Sequence, residues 1–401
     1  MLSEKYVRAM TAVPIYEPDI YADDAILDPY PHYAALRDLG PLVHLPQYDV
    51  YAIPRYGDLK AALLNGDQFL SGHGVGGFTW PSMFQVENIL ATDEPVHARL
   101  RDVVAGPLQP AALADITRQI ETAADDLIAR LVAMDGFDGM ADLARFLPVS
   151  IVSSLVGLPE RGREKMLDWA AASFDMLGVD NVRGKAAFAE VGAMVQYVMT
   201  ECGPTTVKPG SWAARIWDAV AAGTISPQEG GILHIDILAP SLDTTIFATG
   251  HLLHRLATHP DQWAALKANP ALIPAAIDEA VRLESPIRAF GRVVDAAQDV
   301  GGLTLSAGAR VLMLYGSANR DPRKWDESER YWIERPGLAG HLGFGHGRHF
   351  CLGAHLARLE MRSLLKAIVR RVDRIEVGEP RYSLNNVLRG FSSLPTRFHP
   401  A

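Results

Sequence analysis

Apolar residues recur at helical spacing along most of the chain. In residues 353–372, Met361, Leu364, Leu365, Ile368, Val369 and Val372 fall at i, i+3, i+4, i+7, i+8 and i+11. That stripe predicts an amphipathic helix with one face in a core. Residues 110–133 repeat the pattern with Ala, Leu, Ile and acids, and residues 227–258 carry the longest version, interrupted by Pro240. Strand signals are short: YDVYAI at residues 48–53, and residues 311–314 after the turn-like SAGA. Residues 319–343, rich in Pro and Gly, predict a long loop. No repeat, low-complexity tract or linker divides the chain. The prediction is a mainly α protein with a small β lobe. It forms one domain over residues 1–401, with strands mostly within 40–70 and 290–315 and helices elsewhere.

Composition narrows the function classes. The 401 residues are 48% hydrophobic and 21% charged, as in ordinary globular proteins. A net charge of −9 argues against general nucleic-acid binding. With only two cysteines, Cys202 and Cys351, no disulfide framework is expected and a reducing cytoplasm fits. No apolar run reaches the ~20 residues that span a bilayer, and MLSEKYVRAM at the N-terminus lacks a secretory design. The expectation is a cytoplasmic protein with no membrane contact.

The chemistry concentrates in FGHGRHFCLGAHLARLEMR from residue 344. Gly345, Gly347 and Gly353 flank Cys351, and glycine permits positive φ and close approach of a flat ligand. Cys351 precedes the amphipathic helix, whose free N–H groups and dipole stabilise a thiolate. A buried structural cysteine is the alternative for an isolated Cys, and it is the reading taken for Cys202. The run Phe-Gly-x-Gly-x-His-x-Cys-x-Gly resembles the haem-binding loop of the cytochromes P450 at each defining position, Phe344 included. The resemblance extends over residues ~20–400. It implies the P450 fold, haem b with Cys351 as metal ligand, and O2 as co-substrate.

Further residues match that family in order. His97, Arg101, Arg292 and His349 resemble its haem-propionate contacts, where buried carboxylates need cationic partners. Glu279 and Arg282 lie at i, i+3 on one predicted helix face. They resemble the family's buried pair, with Arg335 as the third member that holds the loop before the cysteine. Asp243-Thr244-Thr245 resembles the acid–threonine pair that relays protons and orients dioxygen, so Asp243 and Thr244 are the implied catalytic residues. The other reading of such a threonine is back-bonding within its helix. Pro240-Ser241 departs from the family's small pair at this point. Proline withholds an N–H from the Asp236 carbonyl and predicts a fixed kink.

Residues 35–56, 312–325 and 385–398 are similar to the bacterial P450s that oxidise para-substituted benzoates such as 4-methoxybenzoate. The resemblance implies a small aromatic substrate. It places His73, Val75, Phe78, Phe174, Leu177, Asp236, Ala239, Pro240, Ile287, Phe290 and Phe391 as substrate contacts. In that subfamily an arginine and a serine hold the carboxylate, and His73 and Asp236 stand there instead. Asp236 suits a phenol, alcohol or amine donor better than a carboxylate. Electrons are expected from NAD(P)H through a reductase and a separate ferredoxin, docked where Arg348, Arg358 and Arg362 lie, to a monomeric enzyme. The resemblance leaves open a peroxide-using hydroxylase, a biosynthetic oxidase of larger or carrier-bound substrates, and a non-catalytic haem protein.

Overall fold

Five strands from both ends of the chain build the main sheet. They are β1 (Val43–Leu45), β2 (Val50–Ile53), β3 (Phe69–Leu70), β4 (Phe290–Val294) and β5 (Arg310–Met313), in the order β1-β2-β5-β4-β3. β2 and β5 pair in parallel, Tyr51 opposite Val311, although more than 250 residues separate them. A parallel pair needs a crossover, and here the helical body of the molecule supplies it. The structure, a computed structural model, describes residues 12–79 and 87–401; the N-terminal decapeptide read for a secretory signal lies outside them.

The helices that frame the site are α1 (Val96–Ala105), α2 (Pro110–Val132), α3 (Met166–Met176), α4 (Val182–Thr200) and α5 (Trp212–Ala221). They continue with α6 (Pro227–Leu238), α7 (Asp243–Thr258), α8 (Ile273–Glu284) and α9 (Ala354–Arg371). Ser226 starts α6 with a capping box: its hydroxyl accepts the Glu229 N–H, and the Glu229 carboxylate accepts the Ser226 N–H. The helical pattern at 227–258 is divided as Pro240 predicts. A 3-10 turn, Ala239–Ser241, separates α6 from α7, and Leu242 leaves helical geometry with ψ −83°. The apolar stripes of α2, α7, α8 and α9 meet in one core, including Leu127, Leu131, Leu252, Ile277, Leu364 and Ile368.

Strands also occur where none was expected. Val372–Val377 and Pro395–Pro400 pair antiparallel, with Phe137–Asp138 at the edge. Val372 closes the helical stripe of α9 and opens the strand, whose buried positions Val372 and Ile375 are three apart as on a helix, so no two-residue alternation marks the change. The chain leaves the helix at Arg371. Among the described residues one helical stretch, Gly139–Val156, has the length and apolarity of a membrane span; it packs on α7 in the core.

Candidate active site

The loop before α9 folds back on itself to present the cysteine. The Cys351 N–H donates to the Phe344 carbonyl (2.8 Å). Gly345 and Gly347 adopt φ 72° and 71°, and a Cβ on Gly347 would stand 2.4 Å from the Leu63 carbonyl. The Cys351 side chain is exposed only in the sense that it faces an internal cavity of about 330 Å³. Burial in the protein pushes its thiol pKa up, opposed by the N–H of Gly353, by Arg101 and Arg358, and by the N–H of Ala354. α9 begins at Ala354, and the N–H groups of Gly353 and Ala354 are directed at the sulfur.

Basic side chains crowd one edge of the same cavity. His349, Arg101 and Arg292 line it, and the His97 ring lies 4.2 Å from that of His349. His97 Nδ1 is 3.1 Å from Glu94 Oε1, a hydrogen bond that holds the Glu94 carboxyl below its usual range. Arg101 donates to the Phe350 carbonyl (2.7 Å) and Arg292 to the Gly291 carbonyl (2.7 Å). Burial and then Arg292, His97, Arg101 and Arg348 push the His349 pKa down to about 2. Nε2 of both His97 and His349 is buried without a partner among the described residues. A concentration of positive charge with two orphaned ring nitrogens calls for an anionic ligand. Gly353 opens on the same space, and a Cβ there would meet nothing within 4 Å. A flat cofactor with two carboxylates and an axial demand for thiolate fits this donor set.

Opposite the cysteine, the 3-10 break forms the wall. Asp236, Ala239, Pro240, Ser241, Thr244 and Thr245 line the cavity. Thr244 Oγ1 donates to the Pro240 carbonyl (2.9 Å), and Ser241 Oγ to the carbonyls of Ile237 (2.7 Å) and Leu238 (3.1 Å). Asp243 does not line the cavity. It is buried with Oδ2 unpartnered among the described residues, and burial, against Arg145, pushes its pKa up to about 7. Asp236 accepts the Ile89 N–H at Oδ2 (2.9 Å), and burial pushes its pKa up to about 7 as well.

Of the apolar substrate contacts expected from the sequence, the cavity gathers Phe174, Leu177, Ile287 and Phe290. It does not gather His73, Val75, Phe78 or Phe391. Val75 is core, its carbonyl held by the Gly291 N–H (2.6 Å). His73 is exposed, its carbonyl accepting from Arg310 (3.1 Å), and Phe78 packs against the core. Phe391 is buried between His251, His254 and Tyr382. Sequence reasoning missed Ile89, Met176, Val191, Met194 and Trp212 on the cavity wall; the last four lie in helices where an apolar residue reads as core, and Ile89 lies in a loop with no pattern at all.

Glu279, Arg282 and Arg335 meet as one buried cluster. Arg282 donates to both Glu279 oxygens (2.7 and 2.9 Å), and Arg335 Nε to Oε1 (2.9 Å). The two guanidinium groups also hold the carbonyls of Asn319, Ser328, Glu327 and Arg330. The long loop leading to the cysteine is thus hydrogen-bonded around one carboxylate.

The comparisons agree with this geometry. The family pattern described as Cytochrome P450 matches residues 221–397. A cytochrome P450 named CYP199A2, from Rhodopseudomonas palustris, is 38% identical over 97% of this chain and 95% of its own. The chain is a cytochrome P450. Its cofactor is haem b, its co-substrate O2, and its reaction class monooxygenation. The P450 monooxygenase PikC of Streptomyces venezuelae is 32% identical over 96% of this chain and 94% of its own. The structure of cytochrome P450-153 from Novosphingobium aromaticivorans superposes with a TM-score of 0.84, at 25% identity, over 95% of this chain and 99% of that one. The residues present fit that cofactor: Cys351 faces one wall of the cavity, and Arg101, Arg292 and His349, with His97 beside them, stand along one edge where two carboxylates would be held.

Proposed function

We propose that this P450 oxidises a small para-substituted aromatic compound bearing a hydrogen-bond donor, such as a phenol or benzyl alcohol. The observation that carries this reading is Asp236. It faces the cavity from α6, and its surroundings contribute burial and one N–H but, among the described residues, no cation. A carboxylate so placed accepts a hydrogen bond from a ligand and repels a benzoate. Phe174, Leu177, Ile287, Phe290 and Ala239 supply apolar walls for a flat ring and exclude water from it.

Bound haem supplies oxygen activation and transfer of one oxygen atom into a C–H bond, giving a hydroxylated or O-demethylated product. Thr244 holds a proton at Oγ1, parked on the Pro240 carbonyl. Asp243, poised near neutrality at the start of α7 next to the turn, is the group that would exchange protons with it. Ser241, whose hydroxyl donates to the Ile237 and Leu238 carbonyls, offers a second hydroxyl on the same wall. Arg362, with Arg348 beside Asp67 (2.8 Å), offers positive charge to an acidic ferredoxin on the cysteine side, and association there weakens with salt. The enzyme works as a cytosolic monomer fed by NAD(P)H through a reductase.

The test is turnover with a surrogate bacterial ferredoxin and reductase under isotopically labelled dioxygen. One labelled oxygen atom in the hydroxylated product of a 4-alkylphenol, or in the formaldehyde released from a 4-methoxyphenol, with less product from the matching benzoate, supports the reading. Faster benzoate oxidation overturns the role of Asp236, and haem reduction without any product points to a non-catalytic haem protein. The reach of the cavity to Val195 and Trp212 favours, as a second reading, a larger substrate than one ring; the same assay with long-chain aryl ethers decides it.

A further inference from the structure

α8 carries two adjacent acids that turn to different partners. Glu279 holds the loop network described above. Asp278, its neighbour, accepts from Arg358 Nε on α9 (2.8 Å), and the same oxygen lies 3.6 Å from His341 Nε2. His341 Nδ1 accepts the Gly343 N–H (3.1 Å), which fixes Nε2 as the nitrogen that bears the proton facing Asp278. The Arg358 guanidinium is laid over the Phe344 ring, 4.2 Å from its centroid, and the His341 ring stands 5.7 Å from the same ring. Phe344 in turn accepts the Cys351 N–H at its carbonyl. Arg358 therefore has one face on the cysteine loop and its Nε held from α8. An arginine held this way is not a free docking charge, as the sequence had suggested.

We propose that Asp278, His341 and Arg358 are positioning residues that fix a cation behind the thiolate loop and thereby set the reduction potential of the bound haem. The step concerned is the entry of one electron from the reductant, with no bond made or broken. It would add one negative charge at the haem held by the loop of Phe344 and Cys351, whose thiol already feels the Arg358 charge. A nearby cation stabilises the reduced state, and the low dielectric of a buried loop strengthens the effect. Asp278 sets both the place of the guanidinium and how far its charge is offset. This inference uses the haem site alone and is independent of the substrate.

The experiment is a redox titration of the haem-loaded, substrate-free protein, read from the Soret band. Arg358→Gln removes the cation and is expected to lower the reduced-to-oxidised ratio at the wild-type midpoint by on the order of tenfold. Arg358→Lys, which keeps the charge, is expected to return the ratio toward wild type. Asp278→Asn keeps an oxygen acceptor for Nε while removing the offsetting charge, and is expected to raise the ratio. The reduced carbonyl spectrum of each variant reports whether the thiolate loop is intact. Opposite shifts in Arg358→Gln and Asp278→Asn support the inference. No shift in either, or shifts of the same sign, overturns it; if Arg358→Gln fails to fold, the rise in Asp278→Asn decides alone.

Discussion

Asp236→Ser tests the specificity reading through its dependence on pH. The wild-type carboxyl titrates at about 7 because burial raises it and only the Ile89 N–H opposes. Above that pH it is a carboxylate that accepts a phenol hydroxyl and repels a benzoate; below it, the neutral acid donates to a benzoate. Phenols titrate near 10 and benzoates near the usual carboxylate range, so neither ligand changes charge between pH 6 and 8. If each ligand binds one protonation state of Asp236, phenol affinity rises about tenfold from pH 6 to 8 and benzoate affinity falls about tenfold. A hydrogen bond to a charged group, worth roughly 1.5–3 kcal/mol, sets the preference at pH 8 at about tenfold or more. Serine does not titrate, so Asp236→Ser should abolish both slopes and narrow or reverse the preference. The assay is a set of spin-shift titrations with a matched phenol and benzoate at both pH values. Tighter benzoate binding by the wild type at pH 8, or slopes that survive in Asp236→Ser, would refute the reasoning.

Two further predictions concern the walls of the site. Thr244→Ala should leave the spin-shift affinity nearly unchanged while diverting NAD(P)H electrons to peroxide; unchanged coupling would place the proton donor elsewhere, with Ser241 and Thr245 the neighbouring hydroxyls on the cavity wall. Glu279→Ala strands Arg282 and Arg335 in the interior, where the side chains are 0% and 2% exposed, and should cost about 3–5 kcal/mol. Denaturant unfolding of the haem-loaded protein checks this, and a loss under about 1 kcal/mol would show that the cluster is not the anchor of the loop.

Local chemistry made much of this molecule legible in its sequence. The helix at Pro110–Val132, the break at Pro240 and the loop at Cys351 each depend on spacing within a few residues. The gathering of His97, Arg101, Arg292 and His349 at one cavity edge, and the Glu279 cluster, were legible through family resemblance, because their members keep fixed positions in distant segments. Direction of facing was not legible. Val75 and Phe391 look no different in sequence from Phe174 and Phe290, yet the first pair is core and the second lines the cavity. Periodicity says which residues are apolar and leaves open which of two packed surfaces they join. The link between Asp278 and Arg358 was hidden for a related reason: 80 residues separate them, and Asp278 sits beside an acid with a stronger motif. The strand after α9 was hidden because its buried positions, Val372 and Ile375, keep a helical spacing across the junction.

The central claim is that Cys351 holds the haem iron as a thiolate, supported by the N–H groups at the start of α9. The most direct measurement is the Soret band of the reduced carbonyl complex. The wild-type protein should show the strongly red-shifted band that defines the family, and Cys351→His should move it to the shorter wavelength of histidine-ligated haem. A histidine-like band from freshly prepared, folded wild-type protein would contradict the account.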